Sequence, residues 1–328
     1  MNILYLHSGK AMLTGGGTYR DAVIGAIGRN HSIGDTYSPN WQSMNWDLAH
    51  ATNLMDVNPS VLEMMHCPII IDVHDYYWTR FYPFWAPDLP LRFVAQRIRK
   101  RKYLKIISLA DAVITHSRYV FERISCPLKF NVPLGFATGE TQERVAWRNR
   151  ENMILFVGGN YFRKGLHVLL KALPLILESV PDAKLVVAGS ERQHTLWAAK
   201  WLARGLPVTF LGGLPRAEVM RLYQQARVYV LPSEIEATAI TFNEAMANGT
   251  PIVASAVGAI PEVVTDQVTG FLFKRGDFGT LADRIVTCLR DEQVASRLIA
   301  NGLEESKKRT LDQMINAIES VYQEVMNA

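Results

Sequence analysis

The chain has 328 residues, of which 48% are apolar and 20% are charged, a balance typical of globular proteins and sufficient for two domains of ordinary size. Its formal net charge of +4 is too small to indicate a nucleic-acid-binding protein. The three cysteines, Cys67, Cys126 and Cys288, lie far apart without metal-binding spacing and are expected to be packing residues in a reduced cytosolic setting.

The first half of the chain predicts strands separated by loops and helices. The start, MNILYLHSG, lacks the basic and long apolar segments of a signal peptide, and NILYLHS predicts a strand. A glycine-rich loop and a helix from about 18 to 29 are expected next. CPIIIDVHD and DAVITHS predict further strands, and helices are expected at 91–108 and 118–124. The segment 31–66 predicts only short, irregular elements, and NVPLGFATGETQERVAWRNRE is expected to link the two halves.

The second half alternates regularly between apolar runs and helical segments. MILFVGG, AKLVVAG, PVTFLGG, RVYVLPS and PIVAS predict strands, separated by helices of about a dozen residues. This alternation predicts a parallel, doubly wound sheet whose right-handed crossovers bring the loops after the strands to one edge. Open parallel sheets bind their ligands at that carboxyl edge.

Two carboxylates occupy this edge in the segment PSEIEATAITFNEAMANGTPIVASAVGAIPEVVTDQVTG. Glu236 is expected in the loop after a strand, and Glu244 on the helix that follows, which should end at Gly249. Two exposed glutamates beside an ordinary helix are the plain alternative, because glutamate is mostly exposed in proteins. Their position at the ligand-binding edge favours a functional site.

The run NEAMANGTPIVASAVGAIPEVV resembles the donor-site signature of retaining glycosyltransferase family 4, the glycosyl transferases group 1, and the resemblance extends over most of the chain. It implies the GT-B fold, an α/β architecture of two Rossmann-like doubly wound parallel-sheet domains that face a cleft. The implied domains are 1–140 for the acceptor and 150–310 for the nucleotide-sugar donor. A C-terminal helix, 311–328, would cross back and pack on the N-terminal domain.

The same resemblance assigns donor-binding roles to the second half. Lys164, at the helix start in FVGGNYFRKGLHVLLKAL, would contact the donor phosphates, since helix N-termini favour anions. Gly159 stands where the family usually carries an arginine; either Arg163 substitutes for it from the neighbouring position, or the site binds the donor more weakly. Glu244 would accept hydrogen bonds from the ribose hydroxyls, and Glu236 would act as a catalytic residue near the transferred sugar.

A second group of donor-binding positions follows Glu236. The family usually carries glycines there, whereas this chain has ATAI at positions 237–240. The backbone of Thr238, Ala239 and Ile240 is expected to approach the diphosphate and sugar, although their β-carbons crowd that approach. This departure and the missing arginine favour one alternative, a non-catalytic family member that binds sugar nucleotides.

The first half supplies weaker candidates. In TGGGTYR, which lacks the third glycine of a dinucleotide fingerprint, Gly16 and Gly17 best match a family loop near the donor phosphates, and a flexible turn is an equal alternative. His74 ends a strand and is expected to contact the sugar or the acceptor as a catalytic residue, with a structural histidine as the alternative. Asp75 is an acceptor-side candidate, and His116 is expected to be structural.

The sequence contains no Asp-x-Asp, so neither a metal nor a cofactor is expected, and Lys164, Arg163 and helix dipoles would hold the diphosphate. The segment 76–105 carries aromatics from Tyr76 to Trp85 and seven basic residues from Arg92 to Lys105, a composition that fits an anionic membrane surface. A core stripe beside a solvated basic face is the alternative, and binding of nucleic acid is not expected.

The predicted function is therefore a metal-independent, retaining hexosyltransferase. It would move a sugar from a UDP- or GDP-sugar to a saccharide or lipid-linked acceptor, in the assembly of cell-surface polysaccharide or lipid-linked saccharides. The expected location is the cytoplasm, at the inner face of the membrane. A nucleotide-sugar epimerase is a second alternative, against which the glutamate pair and GTPIVASAVGAIPEVV argue.

Overall fold

The computed structural model describes residues 1–6, 15–36, 40–74, 89–136, 145–238 and 240–328. The chain divides into two compact units. The first comprises Met1–Gly135 together with Leu311–Ala328, and the second comprises Phe136–Thr310. The described residues of each unit form a six-stranded parallel sheet with helices around it, which confirms the predicted doubly wound α/β class.

The strands have three to five residues each, and helices connect most of them along the chain. The strands are Asn2–Tyr5 (β1), Ser32–Asp35 (β2), Leu48–Ala51 (β3), Ile69–Val73 (β4), Ala112–Thr115 (β5), Leu128–Asn131 (β6), Met153–Val157 (β7), Lys184–Ala188 (β8), Val208–Gly212 (β9), Val228–Leu231 (β10), Ile252–Ser255 (β11) and Phe271–Phe273 (β12). The helices are Gly15–Ile27 (α1), Pro59–Leu62 (α2), Leu89–Ser108 (α3), Arg118–Phe121 (α4), Leu166–Ser179 (α5), Gln193–Leu202 (α6), Arg216–Gln225 (α7), Ile240–Ala247 (α8), Ile260–Val263 (α9), Phe278–Arg290 (α10), Glu292–Ser306 (α11) and Leu311–Asn327 (α12).

The sheet of the first unit has the strand order β2-β1-β3-β4-β5-β6, with every pairing parallel. β4 and β5 are wholly buried, as expected for strands that helices cover on both faces. The C-terminal helix α12 completes this unit, because Ile318 and Tyr322 are buried in one core with Ile3 and Ile70. The predicted packing of the last helix on the N-terminal domain is therefore confirmed.

The sheet of the second unit has the order β12-β11-β10-β7-β8-β9, again with every pairing parallel. The chain fills the β8 side first and then returns to the other side with β10. The strand order therefore reverses between β7 and β10, which are buried along their whole length. Such a reversal is the place where open α/β sheets bind ligands.

Some boundaries differ from the sequence-based expectation. The elements of the segment 31–66, predicted to be short and irregular, are short, but they include the regular strands β2 and β3 and the helix α2. Each of these elements has four residues, which is too short for a periodic signal. The first helix begins at Gly15, about three residues before the predicted start. None of the described helices is both long and apolar enough to cross a membrane.

Candidate functional site

The loops that follow β7 and β10 bring the main charged residues of the second unit together. Arg163 and Lys164 lie between β7 and α5, and Glu236 lies in the loop after β10. Because β7 and β10 are parallel neighbours, their following loops leave the sheet at the same edge. The sequence-predicted residues Arg163, Lys164 and Glu236 therefore form one cluster at the strand-order reversal.

Glu236 is the buried centre of this cluster, with 4% of its surface exposed. The Lys164 Nζ donates a hydrogen bond of 2.8 Å to its Oε2, and a guanidinium nitrogen of Arg163 lies 3.6 Å from its Oε1. The hydroxyl of Ser233 donates to the same carboxylate at 3.3 Å. Burial alone would raise the pKa of Glu236, but Lys164 and Arg163 outweigh it and hold that pKa below its ordinary value. The carboxylate is thus kept ionised inside the unit.

Two glycines allow the backbone to close around this cluster. Gly165, at a φ of +77°, precedes α5, and a β-carbon there would lie 1.7 Å from the carbonyl oxygen of Pro232. Gly258, at a φ of +56°, comes from the turn after β11, and a β-carbon there would lie 1.8 Å from the carbonyl oxygen of Glu236. That oxygen accepts a hydrogen bond of 2.9 Å from the Ala259 amide. Only glycine fits either position, because both the space and the backbone angle exclude a side chain.

The absence at position 159 of the arginine that the family usually carries has a physical explanation. A β-carbon on Gly159 would lie 2.6 Å from the carbonyl oxygen of Ser190, so the neighbouring loop leaves no room for a side chain. Arg163 reaches the loop after β10 instead, where it donates to the Ile235 carbonyl at 3.5 Å as well as facing Glu236. A cation is therefore present beside Glu236 even though position 159 cannot carry one.

Glu244 lies on α8 and is 6% exposed. A guanidinium nitrogen of Arg216, at the start of α7, lies 3.1 Å from its Oε1. Burial raises the pKa of Glu244 above its ordinary value, and Arg216 only partly opposes this. Tyr229 lies within the electrostatic reach of both glutamates, since burial first and then Glu236 and Glu244 raise its pKa. Sequence analysis missed Arg216, which no motif distinguishes from other surface arginines.

Two of the three remaining donor-side candidates lie within the described residues. Thr238 lies in the loop after β10, and Ile240 is the first residue of α8. Ala239 lies outside the described residues, as do Asp75 and the aromatic stretch from Tyr76 to Trp85.

In the first unit, Gly16 and Gly17 lie in the first turn of α1, whereas the sequence placed them in the loop before it. His74 follows β4 at the carboxyl edge of the sheet, and its Nε2 lies 2.8 Å from the carbonyl oxygen of Thr52. Its ring stacks on His116 with centroids 4.4 Å apart and meets Tyr19 edge-on at the same separation.

A buried hydrogen-bond network surrounds Asp72, which lies in β4 two residues before His74. Tyr19 donates to one carboxylate oxygen at 2.6 Å, and the Nε2 of His50 lies 3.0 Å from the other. Tyr322 of α12 reaches the Nδ1 of His50 at 2.6 Å. Burial opposes ionisation of Asp72, yet His50 and the other histidines lower its pKa to about 2. Sequence analysis missed this residue, although a carboxylate inside the apolar strand IIIDV is a signal of a buried polar network.

Asp72, His74 and His116 also form a group that could hold a metal ion, with one ligand atom from each within 4.8 Å of the others. Histidine nitrogen and carboxylate oxygen suit zinc and similar divalent metals. Burial, with His74 close by, lowers the pKa of His116 to about 3, so this histidine is neutral at ordinary pH. The Nε2 of His116 has no hydrogen-bond partner among the described residues.

A cavity of about 500 Å³ lies elsewhere in the second unit, beside Asn152 and Arg227. These residues immediately precede β7 and β10, so the cavity is at the amino-terminal edge of the sheet. Ligands of open parallel sheets bind at the opposite edge. The Glu236 cluster is therefore the stronger candidate site.

The profile of the family described as "Glycosyl transferases group 1" matches residues 138–305, just over half of the chain. An uncharacterized glycosyltransferase of Methanocaldococcus jannaschii is 37% identical over 147 residues, which are 44% of this chain and 37% of that protein. The phosphatidyl-myo-inositol mannosyltransferase of Mycobacterium leprae is 35% identical over 176 residues, 52% of this chain and 46% of the relative. The chain thus matches less than half the length of these two curated relatives.

Solved structures match over nearly the full chain. Sucrose-phosphate synthase from Thermosynechococcus elongatus has a TM-score of 0.82 at 19% identity, covering 100% of this chain and 99% of its own. Anabaena HepE, solved in complex with UDP-glucose, has a TM-score of 0.78 at 18% identity, covering 98% of this chain and 99% of its own. These likenesses confirm the predicted two-domain GT-B fold. Since the family profile matches residues 138–305, just over half of the chain, the chain belongs to the glycosyl transferases group 1 family.

Proposed function

We propose that the protein is a retaining glycosyltransferase that moves a sugar from a UDP- or GDP-sugar to an acceptor hydroxyl. The observation that carries this proposal is the buried cluster of Lys164, Arg163 and Glu236 at the strand-order reversal of the second unit. Support comes from the fold shared with HepE, whose solved structures hold UDP and UDP-glucose, and from the mannosyltransferase relative of Mycobacterium leprae.

The diphosphate of the donor would bind at the start of α5. The helix dipole makes the first turn of α5 positive. Lys164 and Arg163 add two cations directly before it. The Lys164 ammonium has three protons to donate, so it can keep its hydrogen bond to Glu236 while it donates to a phosphate oxygen.

The two glutamates would orient the ribose and the transferred sugar of the donor. Each oxygen of the Glu244 carboxylate can accept one hydroxyl of a ribose diol. Glu236 would lie near the transferred sugar and stabilise positive charge at its anomeric carbon, which requires that the carboxylate stay ionised. The backbone of Thr238, Ala239 and Ile240 would approach the diphosphate.

The transfer would proceed on one face of the sugar, which retains its configuration. The bond from the anomeric carbon to the phosphate oxygen breaks, and a bond from that carbon to the acceptor oxygen forms. The acceptor hydroxyl proton passes to the leaving phosphate, so neither a protein nucleophile nor a metal is required. Most of the barrier lowering would come from positioning and electrostatics. His74 of the first unit would contact the sugar or the acceptor, and Gly16 and Gly17 would lie near the donor phosphates.

The acceptor would be a saccharide or a lipid-linked saccharide, and the enzyme would work from the cytoplasm against an anionic membrane. The described part of the segment 76–105 supports this, because Val94 and Ile98 are 59% and 62% exposed on α3. Arg97 and Arg101 are exposed on the same helix. Apolar and basic side chains that share an exposed helix favour an anionic bilayer surface.

A thermal-shift panel of UDP, GDP and their sugars tests the donor proposal, and proton NMR of the product tests retention. We expect stabilisation by one nucleotide series and a product with the anomeric configuration of the donor, with turnover unchanged by EDTA. Glu236→Gln should bind the nucleotide and fail to transfer the sugar. Absence of any nucleotide-dependent stabilisation would refute the proposal.

A further inference from the structure

The helix α6 carries its largest apolar side chains on the outside of the second unit. Trp197 and Trp201 are 67% and 53% exposed. The opposite face of the helix is built from Ala199, buried to 2% exposure, and Leu196, which packs against the core. A helix that only covered a sheet would place its tryptophans inward, because they bury the most apolar surface. The pair of exposed tryptophans therefore indicates an interaction surface for a membrane, a protein or a ligand.

Basic residues share this exposed face. At 100° per residue, Lys200 lies three positions after Trp197 on the same side of α6, and Arg204 lies in the turn just after the helix ends; both are exposed. From Arg192 to Ala217 the sequence contains four basic residues and no aspartate or glutamate. The exposed surface formed by Trp197, Lys200, Trp201 and Arg204, the α6 tryptophan face, is thus both aromatic and cationic.

We propose that the α6 tryptophan face docks on an anionic lipid bilayer. Tryptophan is enriched at the boundary between lipid headgroups and acyl chains, where its ring is buried and its N–H stays hydrated. Lysine and arginine near that boundary are attracted by the negative surface potential. Protein interfaces, in contrast, are depleted in lysine. With ten residues, α6 would lie along the interface.

This surface is separate from the residues proposed for sugar transfer. None of its four residues belongs to the Glu236 cluster, and α6 follows β8, while the cluster follows β7 and β10. It is also distinct from the segment 76–105, which belongs to the first unit. Lipid binding by α6 can therefore be measured whether or not the sugar-transfer proposal holds.

The test is cosedimentation of the full chain with vesicles, either of pure phosphatidylcholine or of equal parts phosphatidylcholine and phosphatidylglycerol. The double variant Trp197→Ala/Trp201→Ala should lower the partition coefficient on anionic vesicles by about tenfold or more. Lys200→Gln/Arg204→Gln should lower it by about tenfold on anionic vesicles, with a weaker dependence on salt than the wild type. Phe278→Ala is the matched control, since it removes another aromatic side chain of the second unit that is 43% exposed.

Brominated lipids give a second readout, because they quench only tryptophans that enter the bilayer. Quenching should occur in the wild type and in Phe278→Ala, and should fall sharply in the double tryptophan variant. The proposal is overturned if the wild type does not bind anionic vesicles, if it binds neutral vesicles equally well, or if the tryptophan variant binds like the wild type. It is also overturned if sedimentation velocity shows that the tryptophans hold two copies of the chain together in place of lipid binding.

Discussion

The ion pair between Lys164 and Glu236 predicts a measurable coupling between the two side chains. Lys164→Ala would leave a carboxylate that is 4% exposed with Arg163, 3.6 Å away, as its remaining cationic partner. Breaking a buried ion pair costs about 3–5 kcal/mol, and the retained Arg163 and the 12% exposure of Lys164 should reduce this to about 2–3 kcal/mol. Glu236→Gln in the same background should recover part of the loss, since no buried charge remains.

The double-mutant cycle of Lys164→Ala and Glu236→Gln, measured by urea unfolding, should give a coupling of about 2 kcal/mol. The folded-state pKa of Glu236 lies below its ordinary value of 4.5. The pair therefore contributes its full stability above the unfolded-state pKa and loses it as the pH falls through the lower folded-state value. The difference between the wild type and Lys164→Ala should accordingly shrink in acid.

Lys171→Ala is the matched control, because Lys171 is an exposed lysine on the helix α5. It should change the free energy of unfolding by less than about 0.5 kcal/mol at any pH. Lys164→Ala should also abolish sugar transfer while remaining folded. A coupling below about 0.5 kcal/mol, or an equal loss at neutral and acidic pH, would refute the ion-pair reasoning.

Three further predictions concern single side chains. Glu244→Gln should weaken UDP binding by about 1–3 kcal/mol in titration calorimetry, because a charged acceptor is lost; equal affinities would exclude Glu244 from the nucleotide site. Gly258→Ala should cost about 3 kcal/mol of unfolding free energy, through a backbone clash as well as an unfavourable φ. Gly276→Ala, with a φ of +81° and open space around it, should cost about 1 kcal/mol, and similar losses in both would argue against the clash. Asp72→Asn should lose about 2 kcal/mol at neutral pH, since its pKa falls from 3.8 to about 2 on folding. That loss should fade as the pH drops from about 4 to about 2, and a pH-independent loss would count against the charge.

Sequence patterns predicted the second unit better than the first. Its central strands β7 and β10 are continuous apolar runs, because helices cover both faces of the sheet, and helices such as α5 are long enough to show a period. The predicted stop at Gly249 is confirmed, since α8 ends at Ala247 and Gly249, two residues later, has a φ of +65°. In the first unit, β3 carries His50 within a four-residue strand, and neither its length nor its composition predicts a central strand.

The site itself could be predicted only in part. The alternation of strands and helices predicted that Lys164, Arg163 and Glu236 lie at one edge of the sheet, because the topology decides which loops are neighbours. Arg216 could not be found this way, since its contact with Glu244 depends on how α7 and α8 pack. The close approach of Gly258 to Glu236 was also hidden, because it joins backbone segments more than twenty residues apart.

The two glutamates are close in sequence, yet the fold drives their protonation in opposite directions. Two cations keep the pKa of Glu236 below its ordinary value, whereas burial raises that of Glu244 against the opposing effects of Arg216 and Tyr223. Environments that separate the pKa values of paired carboxylates are how one site assigns them different roles. A Glu236 carboxylate that stays ionised at neutral pH fits the stabilisation of positive charge in the transition state. Glu244 needs its charge only to accept ribose hydroxyls, so acid should weaken nucleotide affinity before it affects Glu236. If, on acidification, kcat fell at a higher pH than the nucleotide affinity does, the roles assigned to Glu236 and Glu244 would have to be exchanged.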